Sequence, residues 1–308
     1  YRRQLILAHL AMVLDALLTV ARPWPLKVVI DTVIEHRSSR LPLIGSWLAG
    51  RHAWQNVFVL AGLAGLPVAA LVLWVAEPRK GSAAAQDPLR STVWAYRYLV
   101  ARREFFAPML ASMAGFFVLT TAMSAWLPSL FVRQFGWSAV QAGKSLGLAV
   151  MLCALLGNLS AGILTTALGR RGLRDASLRT MLVGALLMVP ASVITPLLPT
   201  AAAAMLGVML LYFSMALMFA VATVAFVEVT PPRLRGQVVA LYLLVGNFVG
   251  LALGPVGVGS LMDAGIPSLE SVGTSLALVC AVAALPSLWL LFRARALFAG
   301  AAVDSFSA

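Results

Sequence analysis

The sequence predicts an all-α polytopic membrane protein of about eight transmembrane helices, and three observations carry that prediction. Of its 308 residues 61% are hydrophobic and only 11% charged, which leaves no polar skin for a water-soluble core. Uncharged or nearly uncharged runs fall at about 57–76, 105–132, 139–168, 180–198, 201–227, 238–261 and 271–292. Each reaches the roughly 20 residues that cross a 30 Å hydrocarbon core as a helix. They are too long for barrel strands and lack period-two alternation, so helices are the spanning element. Third, an alternating layout with the N-terminus inside places sixteen of the 23 Lys and Arg on one side. Only Arg37, Arg40, Arg51 and Arg133 fall opposite. This positive-inside asymmetry reads the net charge of +12 as orientation. It makes the lipid bilayer the expected partner and gives no support to nucleic-acid binding.

The elements follow in chain order. Residues 1–56 stand apart: "LILAHLAMVLDALLTVARPWPLKVVIDTVIEHR" reads as one long helix, Leu5 to Ile34, carrying His9, Asp15, Arg22, Lys27 and Asp31. Central charges cost about 2.5–3.5 kcal/mol each on insertion scales, so this helix must pack in a bundle or leave the bilayer. A regular pattern begins at Val57 with the span 57–76. The polar stretch 77–104 follows, and within it Leu89, Val93, Trp94 and Val100 share one face of an expected interfacial helix. Six more spans fill residues 105–298, joined by outer turns at "RQFGWS", "PLLPT" and "MDAGIPSLE" and basic inner turns at "GRRGLRD" and "TPPRLRG". Residues 299–308 form a tail.

The joint "EVTPPRLRGQ" sets three charges between two charge-free runs. Thr180 to Val227 holds 48 residues without a charge, and Gly236 to Met262 another 27. Glu228 closes one span, Pro231 and Pro232 stop the helix, and Arg233 and Arg235 open the return. Two readings stay open: a solvated turn whose arginines hold topology, or a charge latch formed in one conformation and broken in another. A latch suits exposed pairs worth only about 0–1 kcal/mol. Farther along, Gly246, Gly250 and Gly254 lie four apart with Pro255 next, a pattern for close helix packing and a bend. Asn158 and Asn247 lie in mid-span, with Tyr212, Ser214, Thr223 and Tyr242 nearby in the pattern. These polar groups fit helix–helix bonds or the lining of a solute path. Lys144 fits a snorkelling interfacial residue.

Other chemistry finds little support. His9, His36 and His52 have no ligand spacing, and Cys153 and Cys280 sit in apolar spans as small buried hydrophobes. No metal or cofactor is expected, and no catalytic constellation is present. "SAVQAGKS" resembles a phosphate loop, but Ser138 stands where the first glycine belongs and no strand precedes it.

"FVEVTPPRLRGQVVALYLLVGNFVGLALGP" resembles the tenth-to-eleventh helix region of the major facilitator superfamily, most closely its Spinster-like branch. "FVRQFGWSAVQAGKSLGL", "DASLRTMLVGALLMVPASV" and "VAEPRKG" support the resemblance. It covers residues 57 to about 298: a sixth helix, the central loop and the C-terminal six-helix half. The family's inner-loop signature, Gly–x–Leu–x–Asp–x–x–Gly–Arg, maps onto "GILTTALGRR". Gly162, Gly169, Arg170 and Arg171 match, while Thr166 replaces the aspartate, so Glu228 with Arg170 or Arg171 becomes the expected latch. Residues 1–36, through the run "ARPWPLKVVIDTVIEH", resemble instead the first transmembrane helix of ABC exporters.

The facilitator resemblance implies transport of a small organic or amphipathic solute by alternating access between two six-helix halves. Spinster-like relatives imply lipid-derived substrates and bacterial relatives organic anions. It implies an integral protein of the bacterial inner membrane, both termini cytoplasmic, working with a missing N-terminal half or a second copy. A proton-coupling site would lie outside the C-terminal half, which offers no ionisable residue at mid-bilayer. The alternatives are an ABC-type segment fused to a facilitator fragment and a non-transporting membrane fragment.

Overall fold

The computed structural model describes residues 88–173 and 175–303, together with Leu63 and Leu66, both helical. The ABC-like segment 1–36, the stretch 37–56 and, apart from those two leucines, the span 57–76 lie outside the described residues. By internal contacts the chain divides into two compact units: residues 1–84 with 139–151, and residues 85–138 with 152–308. Within the first, Leu63, Leu66 and residues 139–151 are helical. The helix contacts that build the bundle lie within the second.

Among the described residues seven α-helices with full bounds run in order: α1 Pro88–Ala101, α2 Arg103–Phe135, α3 Ala139–Arg170, α4 Ala176–Ile194, α5 Ala201–Glu228, α6 Arg235–Met262 and α7 Val272–Val303. Short 3-10 turns follow α4 and α6, at Thr195–Leu197 and Pro267–Leu269. Helices α2 to α7 are six segments long and apolar enough to cross a membrane, and no strand occurs among the described residues. All six coincide with runs expected from the sequence. They extend past those runs at most ends because a helix continues through the charged interface until a cap or breaker stops it. Gly136, at φ 67°, ends α2 and donates to the Phe131 carbonyl, a left-handed cap that glycine adopts without strain. Phe131 then packs on Trp137 at 4.7 Å. Thr200 opens α5 by accepting from the Ala203 N–H.

The core lies where α2 meets α6 and α7, and where α4 meets α5 and α7. Lipid offers no hydrophobic drive between helices, so close approach depends on small residues. Gly246, Gly250 and Gly254 are buried on one stripe of α6. A Cβ at Gly246 would meet the Phe117 ring at 2.6 Å, one at Gly250 would meet Phe117 backbone at 2.9 Å, and one at Gly254 the Val118 carbonyl at 2.7 Å. The groove is also bonded: Thr121 Oγ1 donates to the Gly250 carbonyl at 2.6 Å and Trp126 Nε1 to the Pro255 carbonyl at 3.1 Å. Gly184 of α4 meets Met218 of α5 in the same way, and Gly157 of α3 meets Phe213 and Ala216 of α5. On the other side of α2, Ser112 Oγ donates to the Ser287 carbonyl of α7 at 2.8 Å.

An aromatic ladder joins α2, α5 and α6. Phe106 stacks on Phe226 at 6.4 Å, Phe226 on Tyr242 at 4.7 Å, Tyr242 meets Phe117 edge-on at 5.9 Å, and Phe117 meets Phe219 at 5.1 Å. Each such pair adds about 0.5–1.5 kcal/mol beyond area burial. Tyr242 is only 2% exposed, so its ring is a packing element. Tyr242→Phe, which keeps the ring, is expected to change stability by less than about 1 kcal/mol, measured by thermal unfolding in detergent.

Within 77–104, where an interfacial helix is expected, residues Pro88–Ala101 form α1. Val93, Trp94 and Val100 of the expected face are exposed, while Ala95 and Leu99 are buried against the bundle. An exposed apolar face on a short helix at the basic end suits a position in the headgroup layer.

Candidate functional site

The described basic turns meet at one end of the bundle, built from the turn after α3, the start of α4, the α5–α6 joint and the last third of α7. Arg170 ends α3, and Gly172, at φ 78°, reverses the chain. The Gly172 N–H donates to the Gly169 carbonyl at 2.9 Å. Just beyond this turn, Asp175 stands at the N-cap of α4, where the helix dipole favours a carboxylate.

Asp175 is the centre of charge here. Its Oδ1 accepts from Arg179 Nε at 2.7 Å, one helical turn on. Its Oδ2 accepts from Arg295 Nε at 3.0 Å, from α7. These are the ion pairs among the described residues. Burial pushes the Asp175 carboxyl up, but the hydrogen bonds from Arg179 and Arg295 and the charge of Arg179 outweigh it, holding it below the usual carboxylate range. The pair Asp175–Arg295 therefore ties the start of α4 to α7 at this end.

Glu228 is placed differently from the expected latch. Its Oε2 accepts a hydrogen bond from Ser177 Oγ of α4, and among the described residues it forms no ion pair. Arg170, Arg171, Arg233 and Arg235 are exposed. Arg235 Nε donates to the Thr230 carbonyl at 3.1 Å, and Thr230 Oγ1 to the Phe226 carbonyl at 2.7 Å, so this arginine caps the joint. Tyr98 of α1 donates to the Val229 carbonyl at 2.5 Å. The joint is thus a capped turn bonded to α1 and α4, and the Glu228–arginine latch is not formed in this conformation. The reason is reach: Ser177 presents its hydroxyl directly to the end of α5, while the Arg170 and Arg171 side chains point to solvent. Accordingly Arg170→Ala and Arg171→Ala are expected to shift stability by no more than about 0.5 kcal/mol in thermal unfolding, whereas Ser177→Ala, which removes the hydroxyl bonded to Glu228, costs about 1 kcal/mol.

The polar residues of the expected solute path separate into two groups. Asn158 on α3 and Asn247 on α6 are exposed; Asn247 Nδ2 donates to its own helix, to the Leu243 carbonyl, at 2.8 Å. Tyr212 and Thr223 on α5 are half-buried, and Tyr242 is enclosed by the ladder described above. Ser214 is buried and bonds back to the Leu210 carbonyl at 2.7 Å. Both asparagines therefore lie on outward faces rich in apolar residues: Leu155, Leu156, Leu159 and Ile163 on α3, and Leu244, Phe248 and Leu251 on α6. The described residues hold no cluster of metal-ligating side chains.

Sequence reasoning missed Asp175. The inner-loop signature draws attention to Thr166, nine residues earlier, and Arg295 is 120 residues away in the chain. The readable signals were the i, i+4 spacing of Asp175 and Arg179 and the scarcity of acids at the inner turns.

Among the described residues these features define six membrane-length helices of an integral membrane protein, with basic, tightly capped turns. The chain belongs to the Major Facilitator Superfamily, whose family model matches residues 41–255. It is 27% identical over 257 residues to an MFS-type efflux pump of Mycolicibacterium smegmatis, a match that covers 83% of this chain and 59% of that protein. Its fold is similar to the crystal structure of a bacterial homolog to the human lysosomal transporter Spinster, in an inward-facing and unoccupied conformation. The TM-score is 0.53 at 18% identity, covering 83% of this chain and 60% of the other. The chain thus spans about 60% of the length of each.

Proposed function

We propose that this chain supplies the C-terminal six-helix half of a facilitator-type transporter that moves a small organic or amphipathic solute by alternating access. The observation that carries the reading is the exposure of α3 and α6. Their membrane-spanning windows are 28% buried, against 56% for α2 and 61% for α4 with its 3-10 turn. Each of the two open faces carries one mid-span asparagine, Asn158 or Asn247. Facing lipid, such an amide has only its own helix to bond, as Asn247 does to the Leu243 carbonyl, whereas facing a second helical half it can line a polar path. The partner is that second half, from another part of the same polypeptide or from another copy. The membrane is the bacterial plasma membrane, with the basic turns and both termini cytoplasmic. The name of the mycolicibacterial relative favours outward movement, and the Spinster likeness favours an amphipathic, lipid-like solute.

The test is efflux of an amphipathic fluorescent cation and, separately, of a lysophospholipid from cells expressing the chain in its natural reading frame. Asn158→Ala with Asn247→Ala is expected to lower efflux severalfold while leaving the melting temperature within a few degrees. Efflux equal to that of empty-vector cells for every solute would favour a membrane protein that does not transport.

A further inference from the structure

We propose that a recess between the start of α2 and the last third of α7 holds the headgroup of an anionic phospholipid. The recess, of about 350 Å³, is lined by Arg103, Glu104, Ala107, Pro108 and Ala111 of α2 and by Leu290 and Arg293 of α7. Its charge is confined to one end, where Arg103 and Arg293 stand with Glu104, all three exposed. Two guanidinium groups and one carboxylate leave a single positive charge, which complements the single negative charge of a phosphodiester. Among the described residues Glu104 forms no ion pair with either arginine, so both retain donors for phosphate oxygens. Arg293 lies over the Trp289 ring at 5.8 Å, and Trp289 is 61% exposed. A tryptophan beside an arginine is the side-chain pair that settles at the headgroup level of a bilayer.

The rest of the recess suits the remainder of the lipid. Ala107 and Ala111 keep α2 thin where it faces α7. Pro108 lacks the N–H that would bond the Glu104 carbonyl, which leaves an acceptor beside the arginines for a headgroup hydroxyl. The volume accommodates a phosphate and glycerol but not acyl chains. Those would run over the exposed apolar surface of α7 at Leu285 and Val282, which are 58% and 66% exposed. Basic recesses between membrane helices on the cytoplasmic side bind acidic headgroups in this manner.

Native mass spectrometry of the detergent-purified chain, titrated with phosphatidylglycerol, phosphatidylcholine or phosphatidylethanolamine, tests the assignment. The first phosphatidylglycerol adduct is expected about tenfold tighter than phosphatidylcholine, from two arginines near one phosphate. The preference disappears in R103A/R293A, persists in R170A/R171A, and grows severalfold in E104Q. Should the double arginine variant fail to fold, E104Q and the recess-filling A111W decide, the first by gain and the second by loss of the preference. Equal binding of the three lipids would overturn the proposal. So would equal loss in R170A/R171A, weakening by E104Q with phosphatidylethanolamine preferred, or displacement of the lipid by millimolar glycerol phosphate.

Discussion

Gly250→Leu is expected to stop α6 from docking on α2 and to leave little folded protein. At this position a Cβ alone would lie 2.9 Å from the carbonyl carbon, the oxygen and the Cβ of Phe117. Those are mostly backbone atoms of a buried helix and cannot swing aside as a side-chain end can. Overpacking in a well-packed core costs about 1–3 kcal/mol; a leucine thrust into backbone exceeds that range. It also breaks the hydrogen bond from Thr121 to the Gly250 carbonyl and disturbs the ladder through Phe117. Gly250→Ala should act in the same direction with a smaller cost. Gly162→Ala is the internal control, since a Cβ there meets nothing within 4 Å and helix propensity favours alanine. The measurements are the monodisperse fraction in size-exclusion chromatography and the melting temperature in detergent.

Asp175→Ala is expected to cost about 2 kcal/mol, the scale of hydrogen bonds to a charged group, reduced because Arg179 and Arg295 are 37% and 33% exposed and solvent screens them. The change also removes a favourable charge from the N-terminus of α4. The pH dependence has a definite sign. Because the folded protein holds this carboxyl below its usual range, the stabilisation is fully present above the unfolded value of about 3.9. It is lost as pH falls through the lower, folded value. Thermal unfolding followed downward from pH 6 should show wild type and Asp175→Asn converging in acid, with their gap constant at neutral pH.

The six described spans were legible in the sequence because their physics is one-dimensional. Charge-free length dictates a membrane helix, and Pro, Gly and Arg punctuate it. The glycine stripe of α6 was equally legible, since residues four apart share a helix face whatever the partner. The identity of that partner was not: nothing in the spacing of Gly246, Gly250 and Gly254 names Phe117. Tyr242 shows the same limit in reverse. A polar residue in a span has the same sequence appearance whether it lines a path or closes an aromatic stack, and only the ring of Phe226 at 4.7 Å distinguishes them. The ionic tie at Asp175 depended on Arg295, whose distance along the chain hides it from any local motif. Glu228, bonded to Ser177, answers to a hydroxyl that carries no charge signal at all.

The central claim is that the outward faces of α3 and α6 border a polar solute path against a second helical half. Single cysteines placed at Asn158, Asn247 and, as a lipid-facing reference, Val282, in a background with Cys153 and Cys280 replaced by alanine, test it most directly. Intact cells are treated with a small membrane-impermeant maleimide and with its permeant analogue. Positions 158 and 247 are expected to react with water-borne reagent, a transported solute to slow the reaction, and position 282 to stay unlabelled. Labelling at neither asparagine position, or labelling equal to that at 282 and indifferent to solute, would contradict the claim.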